Sequence, residues 1–282
     1  MTQAKNTNNT ENQAPINEDE IKRVFDQVIE HLYALNTISG QFTSFDAWLD
    51  AVQQKDGASL THPRLSLFGS FYGDLATGDA KDKARQTIEA ILGDNHMVNE
   101  MSASMDADLR LFEMSDLKVG ETFTPNQIAH AVSFGMMVAE QGLDLHLIGG
   151  VGIGYEGVFK ALDEAIKDDD AGTMSKDAAV DFLFNHAGDD VAAMCGVIVA
   201  SRLARTPVMI YDQAGMAALT ILAMMDPILV QNCAFVGPVS CSRQAILEKA
   251  EIFTVGSNND VFPGENAFLF VRAEKDALNA KA

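Results

Sequence analysis

The stretch that decides the fold runs from Asp144 to Gly157 and reads Asp-Leu-His-Leu-Ile-Gly-Gly-Val-Gly-Ile-Gly-Tyr-Glu-Gly. Its alternating apolar residues predict a short buried strand, and the glycines that follow form a turn before a segment, 158–166, with helical spacing. This order suits an anion pocket, because backbone N–H groups can approach a phosphate closely and a helix N-terminus attracts negative charge. We therefore predict a phosphate site at Gly152, Ile153 and Gly154.

The glycine spacing leaves two other interpretations open. The pattern Gly-x-Gly-x-x-Gly is typical of dinucleotide-binding turns, but the acidic residue expected about 20 positions later, at the end of a second strand, is hard to place here. A plain connection between a strand and a helix, without any ligand, is the second alternative. A mononucleotide phosphate is the ligand that the pattern favours.

Segments with strand-like and helix-like patterns alternate along the rest of the chain. This alternation predicts an α/β fold with a mostly parallel sheet and helices on both faces. We expect a disordered tail at 1–16, an N-terminal helical segment at 17–60 and the α/β domain at 61–282. We also expect one long helix from about Lys81 to Met105 and a strand-like run from Ala267 to Val271. Thr124, Pro125 and Gln127 predict a helix start with a capping box, and the small residues of the helix from Gly188 to Leu203 predict very close packing against a neighbour.

Composition excludes several classes of function. The formal net charge is -20 over 282 residues, and a surface this acidic repels nucleic acid. For the same reason an anionic substrate must be held by local dipoles and a few cations, not by the overall field of the protein. The three cysteines lack CxxC spacing, which is typical of reduced thiols in a cytoplasmic protein. No apolar run approaches the ~18 residues of a membrane span, and no histidine pair has the spacing of a metal site.

Several candidate site residues follow predicted strands or begin predicted helices. Ligands of parallel sheets bind at the carboxyl ends of the strands, and Asp212 lies at such an end, where it can bind a ribose hydroxyl or cap the next helix. Asp189 and Asp190 begin a helix, and for Asp189 simple complementation of the helix dipole is the favoured interpretation. Glu265 is either a general base with a raised pKa or an exposed turn acid.

Four motifs, in this order, resemble those of the nicotinate-nucleotide:dimethylbenzimidazole phosphoribosyltransferase family. Val151 to Gly154 resembles the family's M-G-I-G-N-T-T loop, and Ala187 to Gly196 resembles its G-G-x-E-I-A-A-M-x-G helix. Arg205 to Asp212 is similar to its R-x-P-V-x-x-D-G strand, and Gly264-Glu265 resembles its C-terminal L-G-E-G motif. The similarity extends from about Thr61 to Arg272.

The resemblance implies a fold, a reaction and a set of site residues. The fold would be a Rossmann-like core with a small helical part built from both chain ends, usually in a homodimer. The reaction would move the phosphoribosyl group of nicotinate mononucleotide onto dimethylbenzimidazole, releasing nicotinate on the route to the lower ligand of cobalamin, without metal or organic cofactor. Glu265 would be the base, and the glycine turn would hold the phosphate. The substrate-binding residues would be Gly188, Asp190, Asp212 and Tyr72.

This chain departs from the family pattern at several polar positions. Gly150 replaces a glutamate, and Tyr155-Glu156-Gly157 replaces N-T-T, so that Glu156 would repel a phosphate unless it points away. A turn that reads A-D-H-G in the family is Ser70-Phe71-Tyr72-Gly73 in this chain. The family's phosphate-binding lysine has no obvious counterpart here. Two alternative functions therefore stay open. One is a non-catalytic nucleotide-binding relative or partner subunit, and the other is a different phosphotransfer or glycosyl-transfer enzyme on the same scaffold.

Overall fold

The structure is a computed structural model that describes residues 17–35, 38, 42–167, 174–237, 239, 241–255 and 264–281. The tail at 1–16, predicted to be disordered, lies outside this range. In chain order the elements are α1 (Glu18–Ala34), α2 (Phe45–Gln53), β1 (Pro63–Phe71), α3 (Gly78–Leu92), α4 (Met97–Ser104), β2 (Asp108–Asp116), α5 (Pro125–Val138), β3 (Leu145–Gly150), α6 (Tyr155–Lys167), α7 (Lys176–His186), α8 (Asp189–Ala204), β4 (Val208–Ile210), α9 (Gln213–Met225), a 3₁₀ helix (Pro227–Val230), β5 (Cys233–Val236), α10 (Cys241–Lys249), β6 (Phe253–Val255) and α11 (Gly264–Lys281).

The described strands form one sheet in the order β2-β1-β3-β4-β5-β6. Every neighbouring pair is parallel, so the predicted Rossmann-like α/β class is confirmed. Strand β1 is buried at all of its positions, because helices cover both faces of the sheet, as parallel sheets require. Strand β2, at one edge, alternates between exposed and half-buried positions.

Two apolar clusters fill the two faces. One face packs against α1 and α5 to α10, and the other packs against α2, α3, α4 and α11. On the second face Phe45 of α2 meets Phe270 of α11 edge-on, with ring centroids 5.3 Å apart. Trp48 stacks on Phe253 of β6 at 5.9 Å. The predicted small helical part built from both chain ends is therefore confirmed.

Helices α5 and α8 cross unusually closely. A side-chain carbon added at Gly135 would overlap the backbone of Ala193, and one added at Gly196 would overlap the carbonyl of Val132. The small residues predicted to bring α8 close to a neighbour do so here. Helix α5 begins with the predicted capping box, in which Thr124 N–H donates to Gln127 Oε1 at 2.9 Å.

Two expectations about local structure are wrong. The single helix expected from Lys81 to Met105 is divided into α3 and α4, because Asp94 adopts a left-handed backbone conformation (φ 55°) and His96 Nδ1 caps α4. The run expected to be a strand at 267–271 lies within α11. Its apolar residues fit either structure on periodicity alone, and in the helix Val271 is buried in the second cluster.

No helix among the described residues is both long enough and apolar enough to cross a membrane.

Candidate active site

The candidate site lies between the carboxyl ends of β1 and β3. The connection after β1 runs toward one edge of the sheet and the connection after β3 runs toward the other, so the sheet has its topological switch point here. Ligands of open parallel sheets bind in the crevice that forms at such a point. The glycine turn therefore lies where the sequence predicts a ligand.

The glycine turn remains paired to β1 after β3 ends. Ile153 N–H donates to the Ser70 carbonyl at 2.8 Å, and Tyr72 N–H donates to the Ile153 carbonyl at 3.0 Å. A side-chain carbon at Gly152 would overlap the Ser70 backbone, so glycine is required for this close approach. The turn is thus held rigidly against the end of β1.

Carboxylates of the chain bind two further N–H groups in and beside the turn. Gly154 N–H donates to Glu156 Oε2 at 2.9 Å, and Gly150 N–H donates to Asp212 Oδ2 at 2.5 Å. Glu156 therefore points toward the turn and not away from it. The phosphate site at Gly152, Ile153 and Gly154 stays a prediction, and its ligand would have to compete with Glu156.

Tyr72 lies between the glycine turn and α8. Its hydroxyl donates to Asp190 Oδ1 at 2.9 Å, and its ring meets Phe123 edge-on at 5.3 Å. A side-chain carbon at Gly154 would lie 2.6 Å from ring carbons of Tyr72, and one at Gly188 would overlap the same ring. The structure thus brings four of the predicted site residues, Tyr72, Gly154, Gly188 and Asp190, into one cluster.

Asp190 carries the most unusual electrostatic environment of the cluster. The side chain is 1% exposed, and burial, followed by the neighbouring charge of Asp189, raises its pKa from 3.8 to about 7. Hydrogen bonds from Val191 N–H, at 2.8 Å, and from Tyr72 favour the charged form and oppose this rise. A carboxyl group that titrates near neutrality suits acid–base chemistry.

Asp189 does more than complement the helix dipole. It is 5% exposed, and Oδ1 accepts a hydrogen bond from Ser70 Oγ at 2.5 Å. Burial raises its pKa, and hydrogen bonds from Ser115 and Ser70 oppose that rise. The sequence interpretation missed both Asp189 and Ser70, although Ser70 is a polar residue at the end of a buried strand and Asp189 is one of two adjacent acids.

Asp212 caps α9, one of the two roles that its position allowed. Its Oδ1 accepts from Gly215 N–H at 2.8 Å, while Oδ2 accepts from Gly150 N–H. Burial raises its pKa to about 6, against the effect of these N–H groups. Asp212 therefore joins β4, α9 and the start of the glycine turn, and a role toward a ribose hydroxyl stays a prediction.

The predicted base, Glu265, belongs to the first turn of α11. The side chain of Glu265 lies outside what the structure describes, so its role also stays a prediction. Its local setting differs from the expected one, because a helix begins at Gly264 where a loop and a strand were expected.

Two cavities flank the end of β2, next to the crevice. One, of about 450 Å³, lies between β2 and α3 and is lined by residues including Arg85, Ile88 and Glu113. The other, of about 360 Å³, lies between β2 and α5, and Asp189 and His130 line it. Either cavity is large enough for an aromatic base. Within the described ranges, no group of three or more His, Cys, Asp or Glu residues is arranged to hold a metal ion.

Fold and site together define an α/β protein with a glycine-turn crevice at the switch point of a parallel sheet, the class that binds nucleotides and related ligands. No protein-family model matches the chain. It is 24% identical over 238 residues to a nicotinate-nucleotide–dimethylbenzimidazole phosphoribosyltransferase of Allorhizobium ampelinum, covering 71% of this chain and 69% of that protein. It is 25% identical over 249 residues to the protein of the same name from Brucella anthropi, covering 74% and 73%.

Solved structures agree with these sequence relatives. The CobT structure from Thermus thermophilus covers 91% of this chain and 96% of its own, with a TM-score of 0.64 and 14% identity. A second structure from the same organism, a phosphoribosyltransferase of the same name as the relatives, gives a TM-score of 0.61. The resemblance seen in the motifs is confirmed, because the chain is similar over most of its length to proteins named nicotinate-nucleotide–dimethylbenzimidazole phosphoribosyltransferase and shares its fold with the two solved structures.

Proposed function

We propose that the protein is a pentosyltransferase of cobalamin lower-ligand synthesis. It transfers the phosphoribosyl group of nicotinate mononucleotide to dimethylbenzimidazole or a related aromatic base, giving α-ribazole 5'-phosphate and nicotinate. The observation that carries the proposal is the extent of the match, since enzymes named for this reaction align with 71% and 74% of the chain. Two of the family motifs, those at 151–154 and 187–196, also include residues that form the crevice between β1 and β3.

The reaction makes modest demands on the protein. The bond between the pyridinium nitrogen and ribose C1′ breaks, and its electron pair neutralises the departing nicotinate ring, so no acid is needed at the leaving group. One ring nitrogen of the aromatic base forms the new bond to C1′ with its lone pair, and the other ring nitrogen loses its proton to a carboxylate, which leaves a neutral product ring. Neither a metal nor an organic cofactor takes part in this sequence of bond changes.

We assign the roles by family motif and by position in the crevice. Glu265 takes the proton of the aromatic base, and Gly152, Ile153 and Gly154 bind the phosphate through backbone N–H groups. The remaining substrate-binding residues are Gly188, Asp190, Asp212 and Tyr72. The location of four of these residues in one cluster supports the assignment.

A nicotinate-release assay tests the proposal directly. Purified protein is incubated with nicotinate mononucleotide and dimethylbenzimidazole, and both products are measured by chromatography. We expect nicotinate and α-ribazole phosphate in equal amounts. Glu265→Gln should abolish release while calorimetry still detects binding of nicotinate mononucleotide, and Asp276→Asn, an exposed position on the same helix, should leave release unchanged.

The alternative functions predict different results in the same assay. A non-catalytic relative or partner subunit would bind nicotinate mononucleotide without releasing nicotinate from it in the presence of any benzimidazole or phenol. A protein that neither binds nor turns over this nucleotide would contradict the proposal.

We also propose that the protein is a homodimer and acts in the cytoplasm. The family resemblance supports the dimer, and the free, buried thiols of Cys195 and Cys233 are typical of a reducing compartment. Light scattering coupled to size-exclusion chromatography measures the mass of the particle, and a mass near that of one chain would contradict the dimer. Fractionation of cells, followed by detection of the protein, tests the compartment.

A further inference from the structure

The side chain of Tyr72 occupies the middle of the crevice. Its phenol ring lies directly against the backbone of Gly154 on one side and of Gly188 on the other. The residue is 8% exposed, and Phe123 covers a further edge of the ring. A ligand that binds to both the glycine turn and the start of α8 needs the same space.

The groups around the ring are acidic. Asp190 accepts the Tyr72 hydroxyl hydrogen bond, Glu156 binds the Gly154 N–H, and Asp189 lies next to Asp190 at the start of α8. These carboxylates occupy or surround the N–H groups that a phosphate would otherwise bind. With the ring in place, the crevice leaves an anionic ligand no room between Gly154 and Gly188. The N–H groups of Ile153 and Gly154 are already bonded to the Ser70 carbonyl and to Glu156, so a phosphate that enters must also displace Glu156 to reach the Gly154 N–H.

We propose that Tyr72 determines which ligands the crevice accepts, because its ring must leave the space between the glycine turn and α8 before a phosphorylated ligand can enter. The ring then acts as an internal competitor of the ligand, and this role replaces the substrate-binding role that the family resemblance implies for Tyr72. Ligands that are bound through phosphate gain access only in the fraction of molecules whose ring has rotated out, and their apparent affinity is lowered by that fraction.

Rotation of the ring would leave the backbone of this region in place. The backbone of Tyr72 is fixed to Ile153, whereas the side chain is held by the hydrogen bond to Asp190 and by packing. The chain then turns at Gly73, which has a φ of +74°, and reaches α3 through exposed residues and the buried Ala76. Rotation about the Cα–Cβ bond breaks the hydrogen bond to Asp190 and leaves the backbone pairing of Tyr72 with Ile153 intact.

Truncation of Tyr72 tests the proposal with two probes. In Tyr72→Ala the cavity left behind should bind p-cresol, which restores both the ring and the hydroxyl group donated to Asp190, as engineered cavities bind small aromatic molecules. Wild-type protein, in which the ring of Tyr72 fills this space, should lack the additional p-cresol site that Tyr72→Ala gains. Nicotinate mononucleotide should bind Tyr72→Ala at least about tenfold more tightly than wild type, since the competing ring is gone, and p-cresol should displace it. Both affinities are measured by calorimetry.

Two more variants control the comparison. Tyr72→Phe keeps the ring but loses the hydrogen bond to Asp190, so we expect nucleotide affinity between that of wild type and Tyr72→Ala; this variant decides the question if Tyr72→Ala does not fold. Tyr33→Ala removes another tyrosine whose hydroxyl donates to an aspartate, Asp226, at 3.0 Å, but on α1, away from the crevice. It should change neither affinity.

The choice of nicotinate mononucleotide as a probe rests on the proposed function, and the p-cresol measurement separates the two ideas. If p-cresol binds Tyr72→Ala but no variant binds the nucleotide, the proposed function fails. The inference that the Tyr72 ring fills the ligand space of the crevice is then still supported. If folded Tyr72→Ala binds no p-cresol, or if Tyr72→Phe or Tyr72→Ala binds the nucleotide more weakly than wild type, the proposal about Tyr72 is wrong.

Discussion

Replacement of Asp190 by asparagine should change how the stability of the protein depends on pH. Asparagine has nearly the same shape as aspartate, and its side-chain oxygen can still accept hydrogen bonds from Tyr72 and from Val191 N–H. The substitution therefore removes the buried charge and keeps the local contacts. Any change in pH dependence then reports on the ionisation of Asp190 and of Asp189, whose charge acts on it.

The size of the effect follows from the pKa of Asp190. A rise from 3.8 to about 7 corresponds to about 4 kcal/mol of lost stability once the carboxyl group is ionised in both the folded and the unfolded chain. Between those two pKa values the folded protein keeps a proton that the unfolded chain has released, so the free energy of unfolding falls as the pH rises. From about pH 4.5 to about pH 7.5 the wild type should lose about 3 kcal/mol relative to Asp190→Asn.

Fluorescence of the single tryptophan makes the measurement simple. Trp48 is fully buried and stacks on Phe253, so its emission changes when the two chain ends separate from the sheet. Urea unfolding curves of wild type and Asp190→Asn at several pH values give the difference in free energy of unfolding. Asp74→Asn, in the exposed turn after β1, is the control and should stay within about 0.5 kcal/mol of wild type throughout.

A difference between wild type and Asp190→Asn that stays constant with pH would refute this account of Asp190. It would mean that the carboxyl group titrates at its ordinary pKa and that its burial is relieved by water. In that case Asp190 would also be a poor candidate for acid–base chemistry near neutrality.

Three further predictions concern the sheet and the helices around it. His146 is fully buried and burial lowers its pKa to about 3, so between about pH 7.5 and about pH 5 the wild type should lose about 2 kcal/mol more stability than His146→Gln, measured by the same urea curves. Gly196→Ala should destabilise the protein by about 2 kcal/mol or more, because the added methyl group would overlap the α5 backbone where α5 and α8 cross. The control is Gly157→Ala, which has open space around it and should stabilise the protein by up to about 1 kcal/mol. Thermal melts of both variants measure the difference. The buried Arg243 lies 3.3 Å from Asp163, so Asp163→Asn should cost about 2 kcal/mol or more by leaving a buried charge without its partner, and a change below about 0.5 kcal/mol would contradict this.

Local patterns in the sequence were enough to predict most of the elements. The glycine stretch from Asp144 to Gly157 correctly predicts a buried strand followed by a helix, and the capping residues at Thr124 correctly predict where α5 begins. The small residues of α8 correctly predict a close neighbour. These features depend on residues within a few positions of each other, which a single sequence displays directly.

The remaining features depend on contacts between distant parts of the chain. The helix break at Asp94 and the helical state of 267–271 are decided by capping and by packing against the sheet, which periodicity does not reveal. The pairing of Ser70 with Asp189 joins residues on β1 and α8. The location of Tyr72 against two glycines from different turns could be found only once the carboxyl ends of the strands had been brought together.

The N-terminal helices have a consequence for the order of folding. Helix α1 packs on one face of the sheet and α2 on the other, and Tyr33 of α1 bonds to Asp226, 193 residues later in the chain. Helix α1 therefore gains some of its partners, those on α5, in the middle of the chain and others only near Asp226. Because the described strand pairs are all parallel and depend on long crossovers, folding is expected to be slow, and part of the apolar side of α1 stays uncovered until the 3₁₀ helix Pro227–Val230 has been synthesised.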